Sequence, residues 1–93
     1  MSMIRRKKAA TGVNVTFVLD QDTSPGHVSV VGDFNDWTPG THVLRKRSNG
    51  TRSVSITLPV GHRTHFRYLG EGGHWFDDPQ VDGHDAQGAY LVP

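Results

Sequence analysis

Two tryptophans carry the most distinctive chemistry in this chain, because each stands beside residues typical of turns. In VVGDFNDWTPG (residues 30–40), two valines and a phenylalanine indicate a buried strand, yet Trp37 then follows among turn-forming residues. Trp75 comes shortly after the glycine-rich stretch GEGG. Turns lie at the surface, so each indole is expected either to offer a flat apolar face to a ligand or to fold back onto the edge of the protein.

The other reactive side chains do not form a pattern typical of catalysis or metal binding. The chain has no cysteine, which excludes thiolate chemistry and disulfides. His62 and His65 are three residues apart, and on an alternating strand they would face opposite sides. Asp77 and Asp78 precede Pro79 and are interpreted as the end of a strand. With no nucleophile elbow, phosphate loop or facing pair of carboxylates, we predict no catalytic residue, no metal and no cofactor, and interpret the chain as a non-enzyme.

Short segments in which apolar and polar residues alternate are typical of half-buried strands. In VNVTFVLD (residues 13–20) every odd-numbered residue is apolar, and RSVSITL (52–58) alternates in the same way. No stretch of eleven residues has a helical period. The pattern predicts an all-β fold, an immunoglobulin-like antiparallel β-sandwich of about seven strands. The predicted strands are Val13–Asp20, His27–Phe34, His42–Arg47, Arg52–Leu58, Arg63–Leu69, 74–76 and Ala89–Val92.

The start of the chain is basic, whereas the chain as a whole has a net charge of +1 over 93 residues. We predict that residues 1–11, which contain IRRKK, form a disordered basic tail and that residues 12–93 form a single domain. No apolar segment follows the cations, so neither a secretory signal nor a membrane span is expected, and the predicted location is the cytoplasm. The tail offers only weak support for binding nucleic acid or another anionic partner.

The stretches VSVVGDFNDWTPG (residues 28–40), RTHFRYL (63–69) and GHWFDDP (73–79) resemble a known family. They are similar to the early-set domain of isoamylase and glycogen-branching enzymes, carbohydrate-binding module family 48. The same module serves as the glycogen-binding domain of the AMP-activated protein kinase beta subunit. The resemblance extends over residues 13–92. It implies a non-catalytic module that binds an α-1,4-glucan such as glycogen, starch or a maltooligosaccharide.

The resemblance also implies which residues would contact sugar. Trp37 matches the first position of a two-tryptophan platform and Trp75 the second, while Arg67 stands where the kinase module has a lysine. The family's binding asparagine, near the start of the final strand, has no counterpart here, and Gln87 is the nearest amide. Asn35 completes the predicted contact set, although its place in a turn also suits a bond to the backbone.

A shared platform requires Arg67 and Trp75 to face the same way across one hairpin. A three-residue loop, Gly70-Glu71-Gly72, would pair Leu69 with Gly73 and Arg67 with Trp75, and would turn both side chains outward. A four-residue loop would instead turn Trp75 toward the core. We predict the three-residue loop, or a bulge with the same effect, because a glycine at its third position suits the left-handed backbone required there.

A second interpretation belongs to a different class of function. The chain would keep the sandwich, lose the sugar site, and bind a glycan-metabolising enzyme or another copy of itself through a sheet face or an edge strand. The missing asparagine favours this interpretation, and the two tryptophans with Arg67 favour sugar binding. The sequence leaves both open.

Overall fold

The computed structural model describes residues 3–23 and 26–93, which form nine strands. The strands are β1 (Met3–Ala9), β2 (Gly12–Asp20), β3 (Val28–Gly32), β4 (Arg45–Lys46), β5 (Thr51–Leu58), β6 (Thr64–Gly70), β7 (His74–Phe76), β8 (Gly83–Asp85) and β9 (Gly88–Leu91). Short 3₁₀ helices span Gln21–Thr23 and Asp33–Asn35. One sheet has the order β1-β2-β5-β4 and the other the order β3-β6-β9-β8, with β7 also paired to β6. The predicted all-β antiparallel sandwich is confirmed, with nine strands instead of about seven.

The core lies between the two sheets and is built from the inward-facing residues of the central strands. Phe17 of β2 packs against Phe66 of β6, with ring centroids 4.9 Å apart, and meets Tyr68 edge-on at 6.4 Å. Phe34, predicted to be a core residue, is partly buried and packs against this cluster. The Tyr68 hydroxyl donates to the buried carboxylate of Asp78 at 2.7 Å. Since these even-numbered residues of β6 point inward, the odd-numbered residues of β6 form its outer face.

The predicted disordered tail is wrong for residues 3–9, which form β1. This strand pairs with β2 along its whole length, from Met3 opposite Val18 to Ala9 opposite Gly12. Ile4 packs against the core, and Arg6 donates to both oxygens of Asp82 at 2.9 and 3.0 Å. Basic residues are common on edge strands because they discourage pairing with other chains. A run of cations is therefore compatible with a strand as well as with a tail.

Two predicted strands differ from the structure in their bounds, and a further strand was not predicted. The second predicted strand ends at Gly32 instead of Phe34, because the chain turns there into a 3₁₀ helix. The third is reduced to the two residues of β4, preceded by a single bridge between Val43 and Ser29. Strand β8 was not predicted. Residues 1 and 2 of the predicted tail, and residues 24 and 25 between β2 and β3, lie outside the described residues. Over the described ranges, no helix is long and apolar enough to cross a membrane.

Candidate functional site

Trp37 is held at the surface by the turn that follows β3. The Asn35 side chain accepts from the backbone N–H of Gly32 at 3.1 Å and donates to the Val30 carbonyl at 3.0 Å, which closes the turn. Asp36 and Trp37 then have φ values of 53° and 56°. This left-handed conformation is uncommon for residues other than glycine, and a bulky residue in it is an outlier. Such strain persists only where the surrounding structure enforces it.

The indole of Trp37 is anchored at its polar edge. Its Nε1 donates to Asp33 Oδ1 at 3.2 Å, while Asp33 Oδ2 accepts from the backbone N–H of His65 on β6 at 2.8 Å. The side chain remains 39% exposed. Trp37 is therefore tied through one carboxylate to the outer face of β6, and it does not fold into the core.

The hairpin between β6 and β7 has the predicted loop length but a different register. Tyr68 pairs with Phe76, Leu69 with Trp75, and Gly70 with His74, so the three-residue loop is Glu71–Gly73. The predicted pairing of Arg67 with Trp75 is wrong by two residues along β6. Because an even displacement preserves the alternation of side chains, Trp75 still shares the outer face with Leu69 and Arg67. Trp75 is 41% exposed, and the third residue of the loop is again a glycine with a positive φ, of 78°.

Arg67 lies beside Trp75 on this face. Its guanidinium carbon is 5.8 Å from the centroid of the Trp75 ring, within the range of a cation–π contact. Its Nε donates to Asp77 Oδ1 at 2.9 Å, and both side chains of this ion pair are more than two-fifths exposed. An exposed pair of this kind adds little stability. Together these contacts place the guanidinium between the Asp77 carboxylate and the Trp75 ring.

These residues define one surface, which we call the outer wall: Trp37, Arg67 and Trp75 over the outer face of β6. His65, Arg67 and Leu69 succeed one another on that face. Trp37 is linked to the His65 end and Trp75 pairs with the Leu69 end. Four residues of extended strand separate these ends by about 14 Å. Trp75 lies beside Arg67, and Trp37 is linked through Asp33 to the other end of the same strand. That the three side chains form one platform stays a prediction.

The two predicted amide contacts differ in their positions. Gln87 is exposed in the turn between β8 and β9, and its backbone N–H donates to Asp85 Oδ1 at 2.8 Å. The same carboxylate contacts His65, so the structure brings this turn to one end of the outer wall. Asn35 is partly buried, and its amide bonds to the backbone of its own turn. These bonds stabilise the turn that precedes Trp37, and a contact of Asn35 with sugar stays a prediction.

His65 is the residue of this region that the sequence reasoning missed. Its ring lies between two carboxylates, with Nδ1 3.2 Å from Asp33 Oδ2 and Nε2 2.9 Å from both oxygens of Asp85, and its side chain is only 8% exposed. The hydrogen bond to Asp85 raises the pKa of His65, burial opposes this, and the hydrogen bond to Asp33 adds to it. In return, the hydrogen bond to His65 lowers the pKa of Asp85. The sequence held one indication of its position: on an alternating strand, His65 faces the same side as Arg67, two residues later.

Two more charged or aromatic groups complete this end of the wall. Arg63 donates to Asp85 Oδ2 at 3.1 Å and lies over the Tyr90 ring at 4.4 Å from its centroid. Tyr90 also packs against the edge of His65, with centroids 5.8 Å apart. Within residues 3–23 and 26–93, no three histidine and carboxylate side chains are grouped as ligands of a metal ion. The contacts of His65 are those of an ion-paired imidazole.

The fold defines the class: a small antiparallel β-sandwich with one exposed indole on strand β7 and another in the turn after β3. The chain is similar to part of the 1,4-alpha-glucan branching enzyme GlgB of Deinococcus radiodurans, with 42% identity over 52 residues, which are 55% of this chain and 7% of that enzyme. It is also similar to the 1,4-alpha-glucan branching enzyme GlgB of Thermosynechococcus vestitus, with 34% identity over 68 residues, or 72% of this chain and 8% of that enzyme.

The chain therefore spans less than a tenth of the length of the curated relatives it matches. No family model matches it. Membership of carbohydrate-binding module family 48 stays a prediction. The comparisons relate the chain to a segment of glucan branching enzymes.

Proposed function

We propose that this protein is a non-catalytic module that binds α-1,4-glucans on its outer wall, with Trp37 and Trp75 as stacking surfaces and Arg67 as a hydrogen-bond donor between them. The proposal is supported by the exposure of both indoles, by the contact of Trp75 with the Arg67 guanidinium, and by the link from Trp37 through Asp33 to the same strand. The similarity to segments of two glucan branching enzymes supports the choice of ligand. The chemistry of such an enzyme would then belong to other parts of a longer protein or to a partner.

The physical basis is the match between an indole and a sugar ring. One face of a glucose ring consists of C–H groups, and stacking it on an indole removes both apolar surfaces from water while the hydroxyls stay hydrogen-bonded at the rim. Each stack contributes on the order of 1 kcal/mol beyond area burial, by analogy with aromatic pairs. An open wall with two such stacks should bind a short oligosaccharide with a Kd of about 10 μM to 1 mM. A long glucan offers many equivalent registers, which raises the effective affinity.

A titration with maltoheptaose, followed by tryptophan fluorescence, tests the proposal. We expect a saturable change in the native protein, and a strongly reduced affinity in Trp37→Ala and in Trp75→Ala. Arg67→Ala should weaken binding, while Arg45→Ala, a matched change to an exposed arginine of the other sheet, should not. No fluorescence change at about 10 mM ligand, well above the expected Kd, would refute glucan binding. That result would favour the alternative, a sandwich that serves only to bind another protein.

A further inference from the structure

His65 connects the two turns that border one end of the outer wall. Of its two carboxylate partners, Asp33 accepts from the Trp37 indole at 3.2 Å and Asp85 accepts from the Gln87 backbone at 2.8 Å. These turns are otherwise far apart along the chain. A single imidazole thus bridges the carboxylate that holds an indole and the carboxylate that shapes the Gln87 turn.

Only the protonated imidazole can make both connections as a donor. An imidazolium has two N–H groups, one for each carboxylate, whereas a neutral imidazole has one N–H and one lone pair. When His65 loses its proton, one of the two carboxylates faces a lone pair in place of a donor. The buried position of the ring leaves little water to replace that hydrogen bond.

We propose that His65 is a positioning residue for glucan binding, and that its protonated form holds the Trp37 turn and the Gln87 turn in the conformation that binds sugar. The inference rests on the proposed function. The charged and titratable groups around the ring are those already described: Asp33 in the 3₁₀ helix after β3, Asp85 on β8 and Tyr90 on β9, with Arg63 just before β6 and Arg67 within it. Both carboxylates favour the imidazolium, and each of the two arginines is paired to an aspartate.

The sign of the pH dependence follows from the direction of the shift. The pKa of His65 is higher in the folded than in the unfolded protein, so its stabilising contribution is complete below the ordinary histidine value, about 6.5, and is lost as pH rises through the folded value. We therefore expect glucan affinity to be highest at mildly acidic pH. Above the pKa of His65 it should fall by about three- to tenfold, the equivalent of one hydrogen bond.

NMR on the ¹⁵N-labelled native protein tests the positioning role without any ligand. We expect the Trp37 indole N–H resonance to shift with pH at the same midpoint as the His65 ring nitrogens, and the Trp75 indole resonance to stay constant. The Trp75→Phe variant assigns the two indole signals. A Trp37 resonance that does not follow the His65 midpoint, or a His65 midpoint that is not above the ordinary histidine value of about 6.5, would overturn the proposal.

Maltoheptaose binding by two histidine variants, measured across pH, tests the effect of His65 on the proposed sugar site. His65→Gln, whose uncharged amide has one donor nitrogen in place of the two of an imidazolium and does not titrate, should bind maltoheptaose with the weaker affinity at every pH. His84→Gln, a change at the exposed histidine beside Asp85, should keep the native pH profile. A native profile in His65→Gln would overturn the proposal. If no variant or native protein binds maltoheptaose at any pH, the proposed function fails, whereas the NMR result still decides whether His65 positions Trp37.

Discussion

The left-handed backbone at Trp37 predicts that glycine at this position gives a more stable protein than alanine, which is the reverse of the usual order. Glycine is normally less favourable than alanine in a folded protein, because the unfolded chain of glycine has more conformations to lose. Trp37 has a φ of 56°, in the left-handed region. That region costs a residue with a Cβ about 1–2 kcal/mol and costs glycine almost nothing. Trp37→Gly should therefore give a more stable protein than Trp37→Ala.

The two variants share every other loss, so their difference isolates the backbone. Both remove the buried three-fifths of the indole and its hydrogen bond to Asp33. Together these losses amount to a few kcal/mol. The left-handed backbone should leave the glycine variant about 1 kcal/mol more stable than the alanine variant, which corresponds to about 4–8 °C in Tm for a domain of this size. Urea and thermal unfolding followed by circular dichroism would measure both.

A control position shows the ordinary order. Thr57 is exposed on β5, where Thr57→Ala should be more stable than Thr57→Gly by about 0.5–1 kcal/mol. If Trp37→Ala equals or exceeds Trp37→Gly in stability, the turn relaxes without strain and the argument for an enforced indole position is refuted. Under the proposed function, both Trp37 variants should lose maltoheptaose binding to the same extent, since each removes the stacking surface.

Two further predictions concern the scaffold, and both are read from urea unfolding. Tyr68→Phe should destabilise the protein by about 1–3 kcal/mol, because the buried carboxylate of Asp78 loses the hydroxyl that donates to it at 2.7 Å. An unchanged unfolding midpoint would show that this hydrogen bond makes no net contribution to stability. Ile4→Ala should lower the free energy of unfolding by about 1–3 kcal/mol, because Ile4 packs against the core. As a control, Lys7→Ala, an exposed change in the same strand, should change it by less than about 0.5 kcal/mol. Equal, negligible effects at both positions would indicate a loosely attached segment in place of β1.

Alternation predicted the central strands well because their two faces differ in environment. β2, β5 and β6 each bury one face in the core, so the sequence shows a clear period of two. The edge strands lack that signal. β1 contributes only Ile4 to the core and takes most of its support from backbone pairing with β2, which no side-chain pattern reveals. β8 is three residues long, too short for any periodicity.

The sequence predicted the exposed tryptophans of the candidate site, but it did not predict the hairpin register or the contacts of His65. Two tryptophans near turns indicated exposed indoles, and the parity of a three-residue loop was enough to place Trp75 beside Arg67. The actual register depended on which glycines of GEGG form the turn, a choice that local sequence does not determine because several have the required freedom. The role of His65 depended on two carboxylates 20 and 32 residues away in sequence, which only the fold brings together.

The two indoles are placed by different physical means. Their positions should therefore differ in how strongly they depend on pH. Trp75 is placed by the register of a hairpin, which is either right or wrong by whole residues and does not vary with solution conditions. Trp37 is placed by a strained turn and a hydrogen bond to Asp33, whose other oxygen accepts from the His65 backbone and also contacts the titratable His65 ring. A strained conformation held by a titratable contact relaxes when that contact weakens. The Trp75 half of the platform should therefore be constant, and the Trp37 half should be the one that pH adjusts.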